Sequence, residues 1–350
     1  MKKVRFGLVG YGLFGAHHAR AIMNSQNAEL IAIAAKSQAS QQAARSQCPS
    51  AEVYSNYREL VQRGDIEVVD IVVPNHLHSE VALMALNAGC NVLLEKPMAT
   101  SIEQCNAIMS AVNASGKLLA INHELRLSTL WKGVKGLIDQ GVIGHPQHAL
   151  VELSRFPYRL GSDGWRWDIT RVGNWILEEP IHFFDLARWY LSPCGNPISV
   201  YARANSRHPD CPELRDNFSA VVNFADGGYA VVSQTLAAFE HHVAAKVTGT
   251  LGTIWAQWSA PDARSDKPAF SLRYGLANAI HTAENLLPAG ELVELAEQIE
   301  TVARCVQNQS APPCTANDGY WSAAMCLAAQ NSVESNSIIS LNEFTRAVSA

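Results

Sequence analysis

Charged residues, long apolar runs and clustered cysteines are all scarce in this chain of 350 residues. Only 17% of the residues are charged, the net charge is −5, and lysine and arginine form no cluster. These values argue against a nucleic-acid or an anionic membrane surface as partner. No apolar stretch reaches the roughly 18 to 20 residues that a helix needs to cross a bilayer. We therefore expect a cytoplasmic protein whose partner is a small molecule.

Two further absences bear on the compartment. The eight cysteines are scattered and include no CxxC pair, which favours reduced thiols over a disulfide framework and predicts no metal site. The N-terminal segment MKKVRFGLVGYG carries two lysines and an apolar run, as a signal peptide does. Because glycines interrupt the run and no cleavage site follows, this segment is predicted to be a first strand.

The distribution of apolar residues predicts two domains, since 48% of the residues are hydrophobic and the chain can bury a sizeable core. Over residues 3–121, short apolar runs alternate with helical patterns, which is typical of βαβ units on a parallel sheet. Later segments such as SVYARAN, SAVVNF and YAVVSQTL follow one another with turns between them, which indicates an antiparallel sheet. We place the first domain at 1–122 and the second at 123–350.

The strongest motif is a glycine-rich turn between the predicted strand 4–9 and a predicted helix over 14–25. Glycines here permit a tight turn, close approach of a pyrophosphate and close packing of helix on strand, and the helix N-terminus attracts phosphate. The motif predicts a Rossmann dinucleotide-binding domain, and the alternative is a turn that only packs. The predicted cofactor contacts of the turn are Gly10, Gly12, Leu13, Phe14 and Gly15.

The end of the second strand carries information on the cofactor. An acidic residue usually stands there and binds the adenosine ribose of NAD, but this sequence has Ala35-Lys36-Ser37. Lys36 and Ser37 can bind the 2′-phosphate of NADP through charge-assisted hydrogen bonds, which favours NADP over NAD. The alternative is that Lys36 is a solvated lysine and the enzyme accepts either cofactor.

Polar residues follow the next two apolar runs. Pro74-Asn75 and His78 come after one run, and Glu95-Lys96-Pro97 after the following one. Ligands of open α/β sheets bind at the carboxyl ends of parallel strands, so these residues are predicted to contact the cofactor. Lys96 can also polarise a substrate oxygen beside the nicotinamide, unless it is an ordinary surface lysine.

With these motifs the sequence resembles the Gfo/Idh/MocA family, named for glucose–fructose oxidoreductase and inositol dehydrogenase. The resemblance rests on GYGLFG, PNHLH, AGCNVLLEKP, INHELR, IGHP and GWRWD, in that order. It implies a Rossmann domain and a C-terminal α+β domain with a large, mainly antiparallel open sheet. It also implies assembly into a homodimer or homotetramer through that sheet, and oxidation or reduction of sugars and polyols.

The resemblance assigns roles to particular residues. Lys96 matches the lysine that contacts the reacting oxygen, and His182 matches the proton-transfer histidine of an Asp-x-x-x-His-x-x-Asp segment. Glu178 stands at the first aspartate of that segment and Asp185 at the last, so both are implied substrate contacts. By the same analogy Asn122 contacts the cofactor and Arg126 the substrate.

Local chemistry independently favours His182 as a base. Pro180 suits the first position of a helix, which places His182 in the first turn, where the helix dipole disfavours the imidazolium. Asp185 falls on the same face and is expected to orient the ring. The alternative is a histidine held by Asp185 for structural reasons.

An aromatic and charged cluster precedes this helix and comprises Trp165, Arg166, Asp168 and Trp175. Tryptophan faces suit the C–H faces of a sugar, and arginine and aspartate suit its hydroxyls, although large aromatics are also ordinary core residues. We therefore predict an NAD(P)-dependent sugar or polyol oxidoreductase. Two alternatives stay open, a glycosidase that acts by transient oxidation and elimination on a tightly bound cofactor, and a non-catalytic NADP-binding sensor.

Overall fold

The computed structural model of the chain describes residues 2–236, 238–265, 267–276, 279–283, 287 and 289–346. They form two compact units. The first contains residues up to 124 together with 294–320, and the second contains 125–293 together with residues from 321 onward. Within the described residues, no helix combines the length and the apolar character that a bilayer span requires.

The first unit is built on a parallel sheet, named here the N-terminal sheet. Its strands, in the order β3-β2-β1-β4-β5-β6, all run in the same direction. The strands are β1 (Val4–Val9), β2 (Ala28–Ala34), β3 (Glu52–Tyr54), β4 (Val68–Ile71), β5 (Asn91–Glu95) and β6 (Leu119–Asn122). The connecting helices are α1 (Leu13–Asn24), α2 (Gln38–Gln47), α3 (Tyr57–Val61), α4 (His78–Asn87) and α5 (Ile102–Ser115). Strand order reverses between β1 and β4, which is where ligands bind in sheets of this kind.

The second unit is built on a mixed and mostly antiparallel sheet, named here the C-terminal sheet. Among the described residues its strand order is β14-β13-β12-β11-β7-β10-β9-β8-β15. The strands are β7 (Pro146–Ser154), β8 (Pro197–Asn205), β9 (Asn217–Phe224), β10 (Tyr229–Thr235), β11 (His241–Gly249), β12 (Gly252–Ala260), β13 (Ala269–Leu276), β14 (Ala279–Thr282) and β15 (Ile339–Ser340). The remaining helices of the chain are α6 (Thr129–Asp139), α7 (Ile169–Val172), α8 (Pro180–Tyr190), α9 (Glu291–Asn308), α10 (Ala316–Ser335) and α11 (Leu341–Arg346).

The fold class predicted from the sequence, including a mainly antiparallel C-terminal sheet, is confirmed, and three details were not predicted. Residues 294–320 belong to the first unit, although the sequence assigned them to the second domain. They do so because Ile299, Val302 and Ala303 of α9 pack into the core beside α1. Strands β11 to β14 were not predicted, and the C-terminal sheet also contains one parallel pair, β7 with β10.

Candidate active site

The glycine turn after β1 fits a dinucleotide. Gly10 has φ +105°, and a Cβ on it would lie 2.0 Å from the carbonyl oxygen of Val72, so only glycine is tolerated there. A Cβ on Gly15 would lie 2.0 Å from the carbonyl oxygen of Gly10, so this glycine keeps α1 close to the turn. These two glycines shape the turn through steric exclusion.

Gly12 is different, because a Cβ there would meet nothing within 4 Å. Its lack of a side chain leaves open space at the N-terminus of α1, where the first turn carries no acidic residue. Open space and unopposed N–H dipoles are what a pyrophosphate requires. Leu13 is 64% exposed beside this space, so the turn presents one apolar side chain in addition to its backbone.

The end of β2 presents a positive charge and no carboxylate. Lys36 and Ser37 are both exposed. The Ser37 hydroxyl oxygen caps α2 by accepting the N–H of Ser40 at 3.1 Å, so this serine has a structural task whatever it binds. Lys36 remains the residue of this corner whose charge suits an additional phosphate.

His78 was predicted to contact the cofactor, and the structure buries its side chain. It is 1% exposed, its Nδ1 lies 2.6 Å from the carbonyl oxygen of Pro97, and its Nε2 lies 2.8 Å from that of Val73. Both ring nitrogens thus face backbone carbonyls from two different strand ends. Pro74 is half-buried and Asn75 is 3% exposed in the intervening turn. The His78 ring therefore lies buried between the two strand ends, and its predicted contact with the cofactor stays a prediction.

Glu95 and Asn122 were also predicted to contact the cofactor. They lie opposite each other at the ends of β5 and β6, are 6% and 0% exposed, and the Asn122 side-chain amide donates to Glu95 Oε1. The same oxygen faces Nε2 of His18 at 3.1 Å. Both side chains are therefore buried structural partners, whereas Oδ1 of Asn122 is buried without a hydrogen-bond partner among the described residues. Their predicted contacts with the cofactor stay predictions.

His18 is the site residue that the sequence interpretation missed. It is 0% exposed, and its Nδ1 lies 2.8 Å from Oδ2 of Asp70, a residue of β4 that is likewise 0% exposed. The buried face of α1 consists of Gly15, His18, Ala19 and Ile22. A histidine on an otherwise apolar helix face, together with an aspartate inside an apolar strand, was the available signal.

Two carboxylates make His18 an imidazolium. Burial disfavours the charged ring, but the charges and hydrogen bonds of Asp70 and Glu95 outweigh it and raise the pKa of His18 to about 10. Burial likewise opposes ionisation of Glu95, yet His18 and Lys96 lower its pKa. Burial raises the pKa of Asp70 despite the opposing effect of His18. At neutral pH both ring nitrogens of His18 therefore donate.

This network predicts a pH dependence of stability. The pKa of His18 is near 6.5 in the unfolded chain and about 10 in the folded protein. Its contribution is therefore complete below pH 6.5 and is lost as pH rises towards 10. In denaturant titrations between these limits, the free energy of unfolding should fall by up to about 1.4 kcal/mol per pH unit more steeply in the wild type than in His18→Gln. Ile22→Val should keep the wild-type slope, and equal slopes in all three proteins would contradict the assignment.

Lys96 follows Glu95 directly and is half-buried at the carboxyl end of β5. The Lys96–Pro97 peptide bond is cis. Its strand pairs with β4, whose continuation Val72 contacts the glycine turn at Gly10. The turn, the end of β4 and Lys96 therefore share one edge of the N-terminal sheet.

In the second unit His182 is the third residue of α8. Pro180 occupies the helix start, as the sequence predicted, and the His182 backbone N–H donates to the Glu179 carbonyl at 3.0 Å. The His182 side chain is 6% exposed. Both oxygens of Asp185 accept from Arg126, each at 2.7 Å, within a buried bidentate pair. Asp185 thus binds Arg126, and the expected orientation of the His182 ring by Asp185 stays a prediction.

Two further ion pairs surround the start of α8. Arg166 donates to Glu178 at 2.5 Å, and the guanidinium of Arg155 donates to Glu179. Glu178 is 4% exposed. Together with Arg126 and Asp185, these pairs place three arginines against three carboxylates. The start of α8 thus carries three arginine–carboxylate pairs.

The aromatic cluster divides into a buried part and a partly accessible part. Trp175 is 0% exposed in a core with Tyr158 and Leu236, and its ring N–H donates to the Arg166 carbonyl at 2.8 Å. This corrects its predicted role as a sugar platform. Trp165 is half-buried, with the Arg166 guanidinium 4.8 Å from its ring centre.

Asp168 also has a structural partner. Its Oδ1 caps α7 by accepting the backbone N–H of Thr170 at 3.0 Å and the Thr170 hydroxyl at 2.7 Å. One of its oxygens is therefore engaged in holding the loop before α8. Of the residues predicted to bind substrate, Trp165 and Arg166 are half-buried, with Trp165 also packed against the core around Trp175, and Glu178 is buried beside Arg166.

Comparison with known proteins decides the family. Residues 4–123 match an oxidoreductase family with an NAD-binding Rossmann fold, and residues 131–255 match the GFO/IDH/MocA C-terminal domain. The chain belongs to the Gfo/Idh/MocA family. An uncharacterized oxidoreductase of Bacillus subtilis is 28% identical over 347 residues, which are 95% of each chain. The 1,5-anhydro-D-fructose reductase of Ensifer adhaerens is 26% identical over 329 residues, 93% of this chain and 94% of that one.

Solved structures agree on the fold of this Gfo/Idh/MocA protein. An aldose–aldose oxidoreductase from Caulobacter crescentus, complexed with glycerol, has a TM-score of 0.83 at 18% identity, covering 97% of this chain and 100% of that one. As a Gfo/Idh/MocA member with an intact glycine turn, the chain is an NAD(P)-dependent oxidoreductase. It departs from the family pattern at Glu178, where an aspartate is usual.

Proposed function

We propose that this oxidoreductase interconverts a secondary alcohol and a ketone of a sugar, a polyol or a sugar derivative, with Lys96 and His182 as its catalytic residues. The observation that carries the proposal is the shared edge of the N-terminal sheet, where the open glycine turn and Lys96 lie at the strand-order reversal. This is where a bound nicotinamide nucleotide and a reactive lysine are brought together in such sheets.

The chemistry of each group indicates its role in the proposed reaction. The bound nicotinamide supplies or accepts hydride. Lys96 presents an ammonium group that stabilises negative charge on the substrate oxygen. His182 accepts the hydroxyl proton in oxidation and returns it in reduction, as a general base and acid. Its place in the first turn of α8 favours the neutral ring that a base requires.

The paired arginines support a neutral substrate. Three arginines at the start of α8 are each paired with a carboxylate, so each of these guanidinium charges already has an opposite charge beside it. Such a surface suits hydroxyl groups better than a sugar acid or a sugar phosphate. The half-buried ring of Trp165 adds a face for C–H groups. The reductase activity of the Ensifer adhaerens relative towards an anhydro sugar fits the same class.

The proposed cofactor is NADP in preference to NAD. Exposed Lys36 and the absence of a carboxylate at residues 35–37 support binding of the 2′-phosphate. Direct titration with NADPH and NADH, followed by nicotinamide fluorescence, measures the preference. A tighter complex with NADH would reverse the assignment.

We further propose that the protein is a homo-oligomer that associates through the C-terminal sheet. One face of β7, β11, β12 and β13 carries a concavity of about 360 Å³, and Trp255 is 56% exposed at it. Lys246 lies 5.6 Å from the Trp255 ring centre. Exposed tryptophan is typical of interface centres. Sedimentation velocity should show a dimer or tetramer for the wild type and a smaller species for Trp255→Glu, and a monomeric wild type would contradict the proposal.

A spectrophotometric screen tests the function. Sugars, inositols, polyols and their ketones are offered with NADP or NAD, and reduced nicotinamide is followed by absorbance. Turnover of a neutral polyhydroxy compound is expected. Glycoside cleavage without a net absorbance change would support the elimination mechanism instead. Cofactor binding without turnover of any compound would favour the sensor.

A further inference from the structure

Lys96 lies between two residues that buried histidines hold in place. Glu95, directly before it, faces Nε2 of His18, and Pro97, directly after it, offers its carbonyl to Nδ1 of His78. We propose that His18 and His78 are positioning residues that fix Lys96 from both sides of the chain. The proposal builds on the catalytic role proposed for Lys96 and adds two residues to the machinery behind it.

The first anchor is a buried chain of charges on one face of the N-terminal sheet. Asp70 of β4 pairs with Leu93 of β5, and Glu95 stands two residues further along β5, so both carboxylates point to the same side. His18 of α1 lies over this side and contacts Asp70 at 2.8 Å and Glu95 at 3.1 Å. Asn122 donates to the same oxygen of Glu95. Glu95 is thus held by α1 and β6, one residue before Lys96.

The second anchor is His78 at the start of α4. Its Nδ1 lies 2.6 Å from the Pro97 carbonyl oxygen, and its Nε2 lies 2.8 Å from the Val73 carbonyl oxygen. Two carbonyls favour a doubly protonated ring, whereas burial lowers the pKa of His78 and favours the neutral one. A neutral ring donates from one nitrogen, and we assign that proton to Nδ1 because its contact is the shorter. Pro97 is then held one residue after Lys96.

Both anchors matter because a lysine side chain is long and has several rotatable bonds. Its ammonium group can occupy a defined point only if the backbone that carries it is itself immobile. Displacing a catalytic group by about 1 Å can reduce turnover by up to roughly 100-fold. Fixing the peptide groups on either side of Lys96 therefore supplies precision that Lys96 cannot supply alone.

Amide side chains provide a crossed test. The amide nitrogen of asparagine reaches the position of histidine Nδ1, and that of glutamine reaches the position of Nε2. At position 18 the bond towards Lys96 is made by Nε2, and at position 78 it is made by Nδ1. The proposal therefore predicts that Gln but not Asn restores function at 18, and that Asn but not Gln restores it at 78.

The kinetic readout uses the best substrate of the screen. His18→Ala and His78→Ala should each lower kcat roughly 10-fold or more while leaving the cofactor Kd and the substrate KM nearly unchanged. His18→Gln and His78→Asn should recover most of the loss. Ile22→Val is the matched control, since it removes one methyl group from the same buried face of α1 one turn away, and it should keep the wild-type kcat. If instead the recovery of kcat among the Gln and Asn variants followed their melting temperatures, with no preference for Gln at 18 and Asn at 78, the proposal would be overturned.

A second readout does not depend on turnover. In the free protein, mass spectrometry after brief treatment with acetic anhydride gives the acetylation rate of Lys96 relative to exposed Lys36. That ratio should rise in both alanine variants and should return to the wild-type value in His18→Gln and His78→Asn. An unchanged ratio in both alanine variants would refute the positioning role. The acetylation ratio could return to the wild-type value only with Gln at 18 and Asn at 78 while no sugar is turned over. That result would support the positioning of Lys96 by the two histidines and would reject the proposed function.

Discussion

Lys96→Ala and His182→Ala should each lower turnover by roughly 100-fold or more while cofactor binding stays nearly intact. The reason is that neither side chain shapes the glycine turn, whereas each supplies a charge or a proton at the reacting oxygen. Steady-state kinetics with the best substrate gives kcat, and nicotinamide fluorescence gives the cofactor Kd. A selective loss of kcat identifies a role in the chemical step.

Matched variants separate this outcome from general damage. Lys132→Ala removes an exposed lysine of α6, and His145→Ala removes a partly exposed histidine of the second unit. Both should retain wild-type kcat. Lys96→Arg keeps the charge but changes the shape of the group, so it should recover only part of the activity. Undiminished turnover in both Lys96→Ala and His182→Ala would remove the assignment.

Gly12→Val should weaken cofactor binding roughly 100-fold, equivalent to about 2.7 kcal/mol, without lowering stability. A side chain at Gly12 meets nothing within 4 Å in the protein, and φ is −86°, so the backbone tolerates it. The new methyl groups occupy the space that the pyrophosphate needs. Fluorescence titration measures the affinity, and thermal melting measures stability.

The neighbouring glycine should behave in the opposite way. Gly10→Ala places a Cβ 2.0 Å from a backbone carbonyl at a positive φ, so it should lower the melting temperature as well as the affinity. Gly64→Val is the control, because Gly64 of the same unit is exposed and a Cβ there also meets nothing. It should leave both quantities unchanged. Wild-type affinity in Gly12→Val would mean that the pyrophosphate does not lie at this turn.

Several local features were predictable because they depend on residues close in sequence. The bounds of β1 coincide with the predicted strand 4–9, and α8 begins at Pro180 as expected. The glycine turn adopts the conformation that its motif requires. In each case the deciding interactions lie within a few residues, namely steric limits on φ, a missing N–H or a hydrophobic period.

The direction of the polar side chains at the strand ends was not predictable in the same way. Glu95 and His78 were expected at the cofactor because their motifs follow strand ends, and Asn122 was expected there by resemblance to the family. A motif gives the position of a residue along the chain but not the face on which its side chain lies. Alternation along β5 sends Glu95 into the layer under α1, and the same register places Asn122 opposite it.

What the sequence alone determined is the βαβ order of the first unit, the nucleotide-binding turn, the family and the position of Lys96 at a strand end. Only the tertiary structure decided which polar groups are buried and paired with other groups of the protein. His18 finds its partners 52 and 77 residues away, and Arg126 and Asp185 are 59 residues apart. A buried charge must be compensated by whatever group folding brings beside it. That requirement acts through space, so the chain shows a polar residue on an apolar face but does not show which partner it meets.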